Sequence, residues 1–158
     1  MEYFIRELEA SEYPLLAEFL YQAIFQKDEE HPISRRVIEE PALNIYIKNF
    51  GSYQEDFCLC AEFDRKVVGA VWVRNIDGFG SIDDQTPEFA ISLLPQYRGY
   101  GIGTALMREM LKRLKEKRYA QVSLAVQKEN YVFRMYTKVG FEIITETAEE
   151  YIMVCRLN

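Results

Sequence analysis

Apolar and polar positions change their spacing several times along the first third of the chain, and each spacing predicts an element. Apolar residues alternate with polar ones over residues 3–7, which indicates a strand. Over residues 11–25 the apolar positions recur every three or four residues, which indicates a helix with Ser11 as its N-cap. A second helical region is predicted over residues 34–51, with a break at Pro41.

Strand patterns dominate the middle of the chain. Residues 57–63 and 67–74 predict two strands, which a short turn at residues 64–66 joins into a hairpin. Residues 75–87 are rich in turn-forming residues. Residues 89–94 form an almost unbroken apolar run, which is typical of a strand in a sheet that is covered on both faces.

Helix and strand patterns alternate in the last third of the chain. A helix is predicted over residues 104–117, a strand over 122–126 and a short helix over 131–138. A strand, a helix and a second strand in one sheet need a right-handed crossover, so the strands at 89–94 and 122–126 should be parallel. An antiparallel hairpin over residues 141–157 is the last predicted element.

The length and composition fit one globular domain. We expect a single domain over residues 1–158, with an α/β fold whose mixed central sheet has about seven strands and helices on both faces. Apolar residues make up 49% and charged residues 28% of the chain, as in most soluble proteins. No apolar run approaches the roughly 20 residues of a membrane span, and the N-terminus carries no signal-peptide pattern, so no membrane partner is expected.

Charge and cysteine content narrow the expected partners and compartment. The net charge of −6 argues against a nucleic-acid partner, since such proteins usually carry a basic patch. Cys58, Cys60 and Cys155 are odd in number, and a C-x-C pair with one distant cysteine is a poor metal set, so we predict no metal. Three thiols without a disulfide pattern indicate the reducing cytoplasm.

The segment over residues 96–104 carries the strongest chemical signal. It follows the apolar strand, contains Gly99, Gly101 and Gly103, and leads into a helix. Glycines allow the backbone to turn tightly and to approach a ligand. The first amides of a helix have no internal partner and lie at the positive end of its dipole. The segment therefore predicts a cradle for a phosphate or pyrophosphate group.

Two nucleotide-binding motifs fit this cradle poorly. ATP and GTP sites need G-x-x-x-x-G-K-S/T, and no lysine precedes Thr104. Dinucleotide sites need G-x-G-x-x-G, but Gly103 comes one residue too early, and the next strand ends at Gln127 rather than at an acidic residue. An NAD-binding module is therefore the weaker alternative.

A third motif fits the cradle better. Arg98, Gly101 and Gly103 form R-x-x-G-x-G, which resembles the pyrophosphate loop of the GNAT acyltransferase superfamily. That resemblance implies a three-layer α/β fold in which acetyl-CoA is bound as co-substrate between two parallel strands that splay apart.

The resemblance continues in residues 130–141, which are similar to the second signature of that family, an Asn followed by a Tyr and then Gly-Phe. Tyr136 lies four residues before the Gly140-Phe141 pair. The sequence departs from many members in one respect, because Asn130 lies six residues before the tyrosine instead of seven. Together the two signatures extend the resemblance over about residues 88–157.

The resemblance implies a set of cofactor contacts on the strand, the cradle and the second signature. These residues are Leu93, Leu94, Gln96, Arg98, Gly99, Tyr100, Gly101, Ile102, Gly103, Thr104 and Asn130. Backbone groups of Leu93 and Leu94 would bond the pantetheine amides.

The resemblance also implies catalytic roles in an acetyl transfer from acetyl-CoA to an amine by direct attack. Tyr136 matches the family's general acid, which protonates the leaving thiolate. Glu88 matches an acidic position of some members and is the candidate general base, with a water as the alternative.

The acceptor is expected to be a primary amine of a small molecule or a peptide. Tyr21, Tyr46, Trp72 and Phe79 are candidates for lining its pocket, although Trp72 fits a core position better. A non-catalytic acyl-CoA-binding domain is the alternative function, and the presence of Tyr136 argues against it. A homodimer stays open, because members of the family commonly dimerise.

Overall fold

A computed structural model of the protein describes residues 2–158, and within them seven strands form one mixed sheet. The spatial order is β1-β2-β3-β4-β5-β7-β6. The strands are β1 (Phe4–Glu7), β2 (Phe57–Phe63), β3 (Lys66–Arg74), β4 (Glu88–Leu93), β5 (Gln121–Gln127), β6 (Glu142–Glu146) and β7 (Glu150–Arg156). The expected mixed α/β sheet is confirmed, with β4 and β5 as its parallel neighbours.

Helices connect the strands and cover the sheet. The α-helices are α1 (Leu16–Ala23), α2 (Pro41–Asn44), α3 (Ile102–Glu116) and α4 (Phe133–Val139), and tighter 3₁₀ turns cover Ala10–Leu15, Arg35–Glu39 and Pro95–Tyr97. Within residues 2–158, none of these helices has the length and apolar character that crossing a membrane requires.

The start of the first helical region differs from the prediction. Ser11 is not its cap, because the turn begins at Glu9 and runs as a 3₁₀ helix before α1. The Glu9 amide donates to the Glu12 carboxylate at 2.9 Å. Arg6 of β1 holds that carboxylate with two hydrogen bonds of 2.8 Å. The ion pair between Arg6 and Glu12, which are six residues apart, thus supports a cap two residues earlier than the apolar pattern indicates.

Both faces of the sheet are covered, as predicted. On one face, α3 and α4 pack against the apolar residues of every second strand position, with Leu106 and Met110 fully buried. On the opposite face, which we call the α1 face, Leu16 and Phe19 of α1 pack against Cys58, Cys60, Ala70 and Trp72. Trp72 is therefore a core residue, and its indole nitrogen donates to the Tyr46 carbonyl.

Strands β4 and β5 separate almost as soon as they meet. The antiparallel β3–β4 ladder runs over the whole of β4. By contrast, within residues 2–158 the parallel β4–β5 pair has a single registered position, Glu88 with Ser123, next to a hydrogen bond from the Ser123 amide to the Pro87 carbonyl. Beyond it the two strands form a fork that opens toward their carboxyl ends, where open α/β sheets bind ligands.

A buried ion pair holds the segment that carries Tyr46. Arg74 and Asp56 are paired at 3.0 Å, and their side chains are 2% and 0% exposed. The same guanidinium donates to the carbonyls of Ile45 and Lys48. Because Tyr46 lies between these two carbonyls, its position on the α1 face depends on Arg74.

Candidate active site

The cradle has the backbone geometry that the glycine pattern predicts. Gly99 and Gly101 have φ values of +85° and +84°, a left-handed conformation that other residues adopt at a cost. Apart from their own chain neighbours, no atom of residues 2–158 lies within 4 Å of the place where a side chain on either glycine would begin. Within residues 2–158, no side chain caps the start of α3 at Gly101, so its first amides face open space at the positive end of the dipole.

Arg98 ties the cradle to its surroundings. Its Nε donates to the Leu93 carbonyl at 3.3 Å, and its Nη2 donates to the carbonyl and the side-chain oxygen of Gln22, at 3.4 and 3.1 Å. The guanidinium therefore bridges the ends of β4 and α1. Its Nη1 makes no hydrogen bond to residues 2–158, which leaves a cationic donor for an anion in the cradle.

The backbone of β4 offers hydrogen-bonding groups to the fork at alternate positions. The Leu94 amide donates to the Val68 carbonyl at 2.9 Å, and the Leu94 carbonyl accepts from the Tyr97 amide at 3.0 Å. In an antiparallel ladder the residues that bond one neighbour alternate with those that face away. The backbone groups of Ile91 and Leu93 thus point into the fork, and the geometry favours Ile91 over Leu94 as the partner of Leu93.

One cleft of about 800 Å³ joins the cradle to the fork. Eight of the expected residues line it: Leu93, Arg98, Gly99, Gly101, Gly103, Thr104, Asn130 and Tyr136. Five others do not: Glu88, Leu94, Gln96, Tyr100 and Ile102. Tyr100 is 61% exposed at the tip of the loop, whereas Ile102 is buried and contributes only its amide to the cradle.

Asn130 lies at the entry to α4. Its Oδ1 accepts a hydrogen bond from the Val132 amide at 3.1 Å, which starts the helix and explains why the residue stands here. Asn130 lines the cleft, and the side-chain amide nitrogen is the group that remains available to a ligand.

Tyr136 points from α4 toward the cleft and is 8% exposed. Its ring packs edge-on against Phe89 at 6.3 Å and against Phe141 at 5.8 Å. Burial raises the pKa of its hydroxyl above the ordinary value of 10. Within residues 2–158 the hydroxyl forms no hydrogen bond, so the group is protonated and able to donate to a ligand.

Glu88 is 2% exposed, and its carboxylate is engaged by protein donors. It accepts hydrogen bonds from the Tyr46 hydroxyl at 2.6 Å, the Gly78 amide at 2.9 Å and the Gly80 amide at 3.1 Å. Burial raises the pKa of Glu88, and the Tyr46 and amide hydrogen bonds oppose that change. The residue lies on the α1 face at the closed end of the fork.

Eleven of the residues that line the cleft were missed by the sequence analysis, and three of them contact the parts of the site described above. Gln22 and Ile91 line the cleft, as does Met135, whose sulfur accepts from the Thr104 hydroxyl at 3.1 Å. Met135 directly precedes Tyr136, so the second signature could have indicated that it lies near the site. Gln22 reaches the site only through the packing of α1 on β4, which no local pattern reveals.

The one histidine of the chain does not line this cleft. His31 is exposed, and its Nδ1 lies 2.8 Å from an Asp28 carboxylate oxygen. We therefore assign it no part in the site.

The residues present fit a coenzyme A diphosphate and its pantetheine arm. A side chain at position 99 or 101 would occupy the open cradle, so glycine keeps this space free. The unpaired amides of α3 match an anion there. The outward backbone groups of Ile91 and Leu93 match the amides of an extended arm, which needs alternate donors and acceptors like any added strand.

Comparison with known proteins agrees with this geometry. The model of the acetyltransferase (GNAT) family matches residues 5–141. The N-alpha-acetyltransferase of Sulfurisphaera tokodaii is 34% identical over 106 residues, which is 61% of this chain and 62% of that protein. The [ribosomal protein bS18]-alanine N-acetyltransferase of Haemophilus influenzae is 36% identical over 58 residues, 37% of this chain and 40% of that protein. The chain thus spans less than two thirds of the length of both relatives.

Solved structures share the fold over a longer stretch. The PaiA N-acetyltransferase from Thermoplasma acidophilum, in complex with coenzyme A, superposes with a TM-score of 0.73 and 24% identity, covering 99% of both chains. At this identity the likeness is evidence for the fold alone.

Proposed function

Because the chain belongs to the acetyltransferase (GNAT) family, we propose that it transfers an acetyl group from acetyl-CoA to a primary amine. The observation that carries the proposal is the joining of three features in one cleft: the uncapped start of α3, the outward backbone of β4, and the buried hydroxyl of Tyr136. A site that only bound phosphate would not need the buried hydroxyl of Tyr136, and a tyrosine with a purely structural role would not need the cradle beside it.

In our proposal the cradle and β4 bind and orient the co-substrate. The first amides of α3 and the Arg98 guanidinium hold its diphosphate. The backbone of Ile91 and Leu93 holds the pantetheine amides in the fork. When bound, acetyl-CoA supplies a thioester carbonyl that an amine can attack and a thiol leaving group.

Tyr136 is the proposed proton donor to the departing sulfur. The ordinary pKa of tyrosine, about 10, lies above that of a thiol, about 8.5, so full transfer to a free thiolate in water is unfavourable. Burial raises the tyrosine pKa further. We therefore propose that the hydroxyl donates its proton to the sulfur as the carbon–sulfur bond breaks, in a cleft where the exclusion of water also disfavours the free thiolate, and that solvent then reprotonates the tyrosine.

The proton of the amine needs a second acceptor, for which Glu88 and a water are the candidates. The raised pKa of Glu88 favours proton uptake, but its carboxylate is enclosed by Tyr46, Gly78 and Gly80 and does not line the cleft. We propose that a water molecule accepts the proton directly from the amine. In this proposal Glu88 affects the site by fixing the positions of Tyr46, Gly78 and Gly80.

The acceptor is proposed to be a small-molecule or peptide amine. The two curated relatives are named for N-alpha-acetylation and for a ribosomal-protein alanine, which supports a peptide. The acidic chain, with a net charge of −6, suits any cationic amine. A homodimer and a cytoplasmic location are further expectations, the second supported by three cysteines without a disulfide.

Thiol release tests the proposal. The protein is incubated with acetyl-CoA and a panel of amines that includes diamines, monoamines and short peptides with free N-termini, and free coenzyme A is titrated with a thiol reagent. We expect release that depends on at least one amine, together with an acetylated product of the expected mass. Tight acetyl-CoA binding without release for any amine would support the acyl-CoA-binding alternative instead.

A further inference from the structure

Three consecutive amides on the α1 face are all bound to one pair of side chains, the buried Glu88 and the partly buried Tyr46. The amides of Gly78 and Gly80 donate to the two carboxylate oxygens of Glu88, at 2.9 and 3.1 Å. Between them, the Phe79 amide donates to the Tyr46 hydroxyl at 2.9 Å. That hydroxyl in turn donates to Glu88 at 2.6 Å. Residues 78–80, which we call the Phe79 turn, are therefore held rigidly.

Both glycines of the Phe79 turn are required by close packing. A side-chain carbon on Gly78 would lie 2.6 Å from the Tyr46 hydroxyl and 2.7 Å from Glu88. On Gly80 it would lie 2.6 Å from backbone atoms of both Leu124 and Ala125 in β5, which cannot move aside. The turn consequently presents one side chain, that of Phe79.

The phenylalanine ring is half exposed in spite of this rigid support. It stacks on the Tyr46 ring at 6.4 Å between centroids with an interplanar angle of 13°. Its exposed fraction is 50%, so about half of the side chain remains accessible to solvent. The face of an aromatic ring attracts a cation through the ring quadrupole, at exposed as well as at buried positions.

The surrounding charge also favours a cation. Residues 75–87, which contain the turn, include Asp77, Asp83 and Asp84 but no lysine or arginine. The Asp83 carboxylate accepts from the amides of Gln85 and Thr86 and so has a structural role. Asp77 lies beside the turn and is close enough to Glu88 to raise the pKa of its carboxyl group.

The position of the turn separates it from the reacting amine. Gly80 packs on β5 directly after Ser123, at the closed end of the fork. Ile91, which faces the cleft, lies three residues along β4 from Glu88, or about 10 Å. Because Phe79 does not line the cleft, an acceptor group that contacts it would lie outside the cleft, several bonds away from a nitrogen that reacts beside Ile91 and Leu93.

We infer that the Phe79 turn is an acceptor subsite that binds a second positive charge, distinct from the amine that is acetylated. The inference rests on the proposed function for the reacting amine, but the cation site itself does not need catalysis. A diamine and a peptide with a lysine side chain near its N-terminus carry the same chemistry. Phe79 is then a specificity-determining residue, and Glu88 and Tyr46 are positioning residues.

A cation that cannot be acetylated tests the subsite without any transfer. Permethylated 1,4-diaminobutane is added to the protein of residues 1–158, and saturation transfer from the protein to the methyl protons of this ligand is measured by NMR. Phe79→Leu removes the aromatic face and keeps the apolar volume. Phe4→Leu is the matched control, because Phe4 is similarly exposed but lies on the edge strand β1.

We expect saturation transfer to the ligand from the wild-type protein and from Phe4→Leu, and an apparent affinity about three- to thirty-fold weaker for Phe79→Leu. Equal transfer to the ligand from all three proteins, or none from the wild type, would overturn the subsite whatever the protein does with acetyl-CoA. Conversely, failure of the proposed function would appear as absent thiol release with every amine, while the NMR result stands by itself.

Kinetics then identify the source of the charge. In the thiol-release assay, Phe79→Leu should lower kcat/KM for diamines or for lysine-containing peptides by the same factor, and leave monoamines of equal length unchanged. A selective loss for diamines identifies a small-molecule acceptor, and a selective loss for the peptides identifies a peptide. An equal loss for monoamines would contradict a role in charge recognition.

Discussion

Glu88 and Ser123 form the one registered pair between β4 and β5 within the described residues 2–158, and both side chains belong to the α1 face of the sheet. The Ser123 hydroxyl is fully buried there and has no hydrogen-bond partner in that part of the chain. The pair marks the closed end of the fork. The cleft for the co-substrate lies between this pair and the cradle. The Phe79 turn covers the pair on the α1 face.

Removal of the Tyr136 hydroxyl should affect chemistry and not binding. Tyr136→Phe keeps the ring that packs on Phe89 and Phe141, so the fold and the cradle should be unchanged. We expect kcat to fall by about 10²–10⁴, with the dissociation constant of acetyl-CoA within about two-fold of the wild type. Steady-state kinetics and calorimetry measure the two quantities.

Tyr119→Phe is the control for this substitution, since Tyr119 is partly buried against the same core but follows α3 at its far end. Its kcat should be unchanged. If Tyr136→Phe turned over as fast as the wild type, another group would have to supply the proton.

The cradle should tolerate no side chain at Gly101. Its φ of +84° makes Gly101→Ala strained, by about 1–2 kcal/mol, and the new methyl group enters the open space beside the first amides of α3. We therefore expect lower stability and at least ten-fold weaker acetyl-CoA binding, measured by urea unfolding and calorimetry.

Gly51→Ala separates these two effects. Gly51 has a φ of +99° and lies against Tyr13, so alanine there should also lower stability. It lies outside the cleft, and acetyl-CoA affinity should therefore be retained. If both variants lost acetyl-CoA affinity equally, the loss in Gly101→Ala would be explained by lower stability and not by a side chain in the cradle.

Glu88 should make the stability of the protein depend on pH. Because burial raises its pKa in the folded state, the folded protein holds this proton at higher pH than the unfolded chain does. The free energy of unfolding should accordingly decrease as pH rises from about 4.3, the ordinary glutamate pKa, through the folded pKa. Urea unfolding from pH 4 to pH 8 measures this slope.

In Glu88→Gln the Glu88 part of the slope should vanish. In Tyr46→Phe it should extend to higher pH, because the carboxylate loses a donor that lowers its pKa. Identical slopes in the wild type and Glu88→Gln would show that the carboxyl group titrates as it does in the unfolded chain.

Loss of Asp56 should destabilise the fold strongly. Asp56→Ala leaves the Arg74 guanidinium buried without its counter-charge, which costs about 3–5 kcal/mol. Glu109→Ala is the matched comparison, because Glu109 pairs with Arg113 on the surface of α3 and such pairs contribute less than about 1 kcal/mol. Urea unfolding of both variants should differ accordingly, and similar losses would contradict the assigned burial of the Arg74 pair.

The cradle was predictable because its signals are local. Gly99, Gly101 and the helix start follow one another in the chain, and the conformation they need depends on their own φ values. The strand before them is an apolar run, and Pro95 ends it. The parallel pairing of β4 with β5 followed from chain order and handedness alone.

The parts that sequence reasoning misplaced depend on contacts between different elements of the fold. The Leu94 amide is bonded to Val68 because of the β3–β4 register, and a shift by one residue would have exposed it to the fork. The position of the first helical turn is set by the contact of Arg6 with Glu12. Neither register nor ion pairing can be read from residue spacing.

The surroundings of Glu88 show the same limit. The sequence places a glutamate at the start of β4, where it resembles a general base. Only the fold brings Tyr46, forty-two residues away, and the Phe79 turn onto its carboxylate. Its candidate roles as base and as positioning residue are therefore separable only by experiment.

Calorimetric titration with acetyl-CoA and, separately, with NAD tests most directly the central claim that the cleft binds an acyl-CoA. We predict one acetyl-CoA site per chain, with binding weakened at least ten-fold in Gly101→Ala and unchanged in Gly51→Ala, and no heat from NAD. Binding of NAD alone, or of neither compound, would contradict the assignment of the cradle, and the roles proposed for Tyr136 and Ile91 would fail with it.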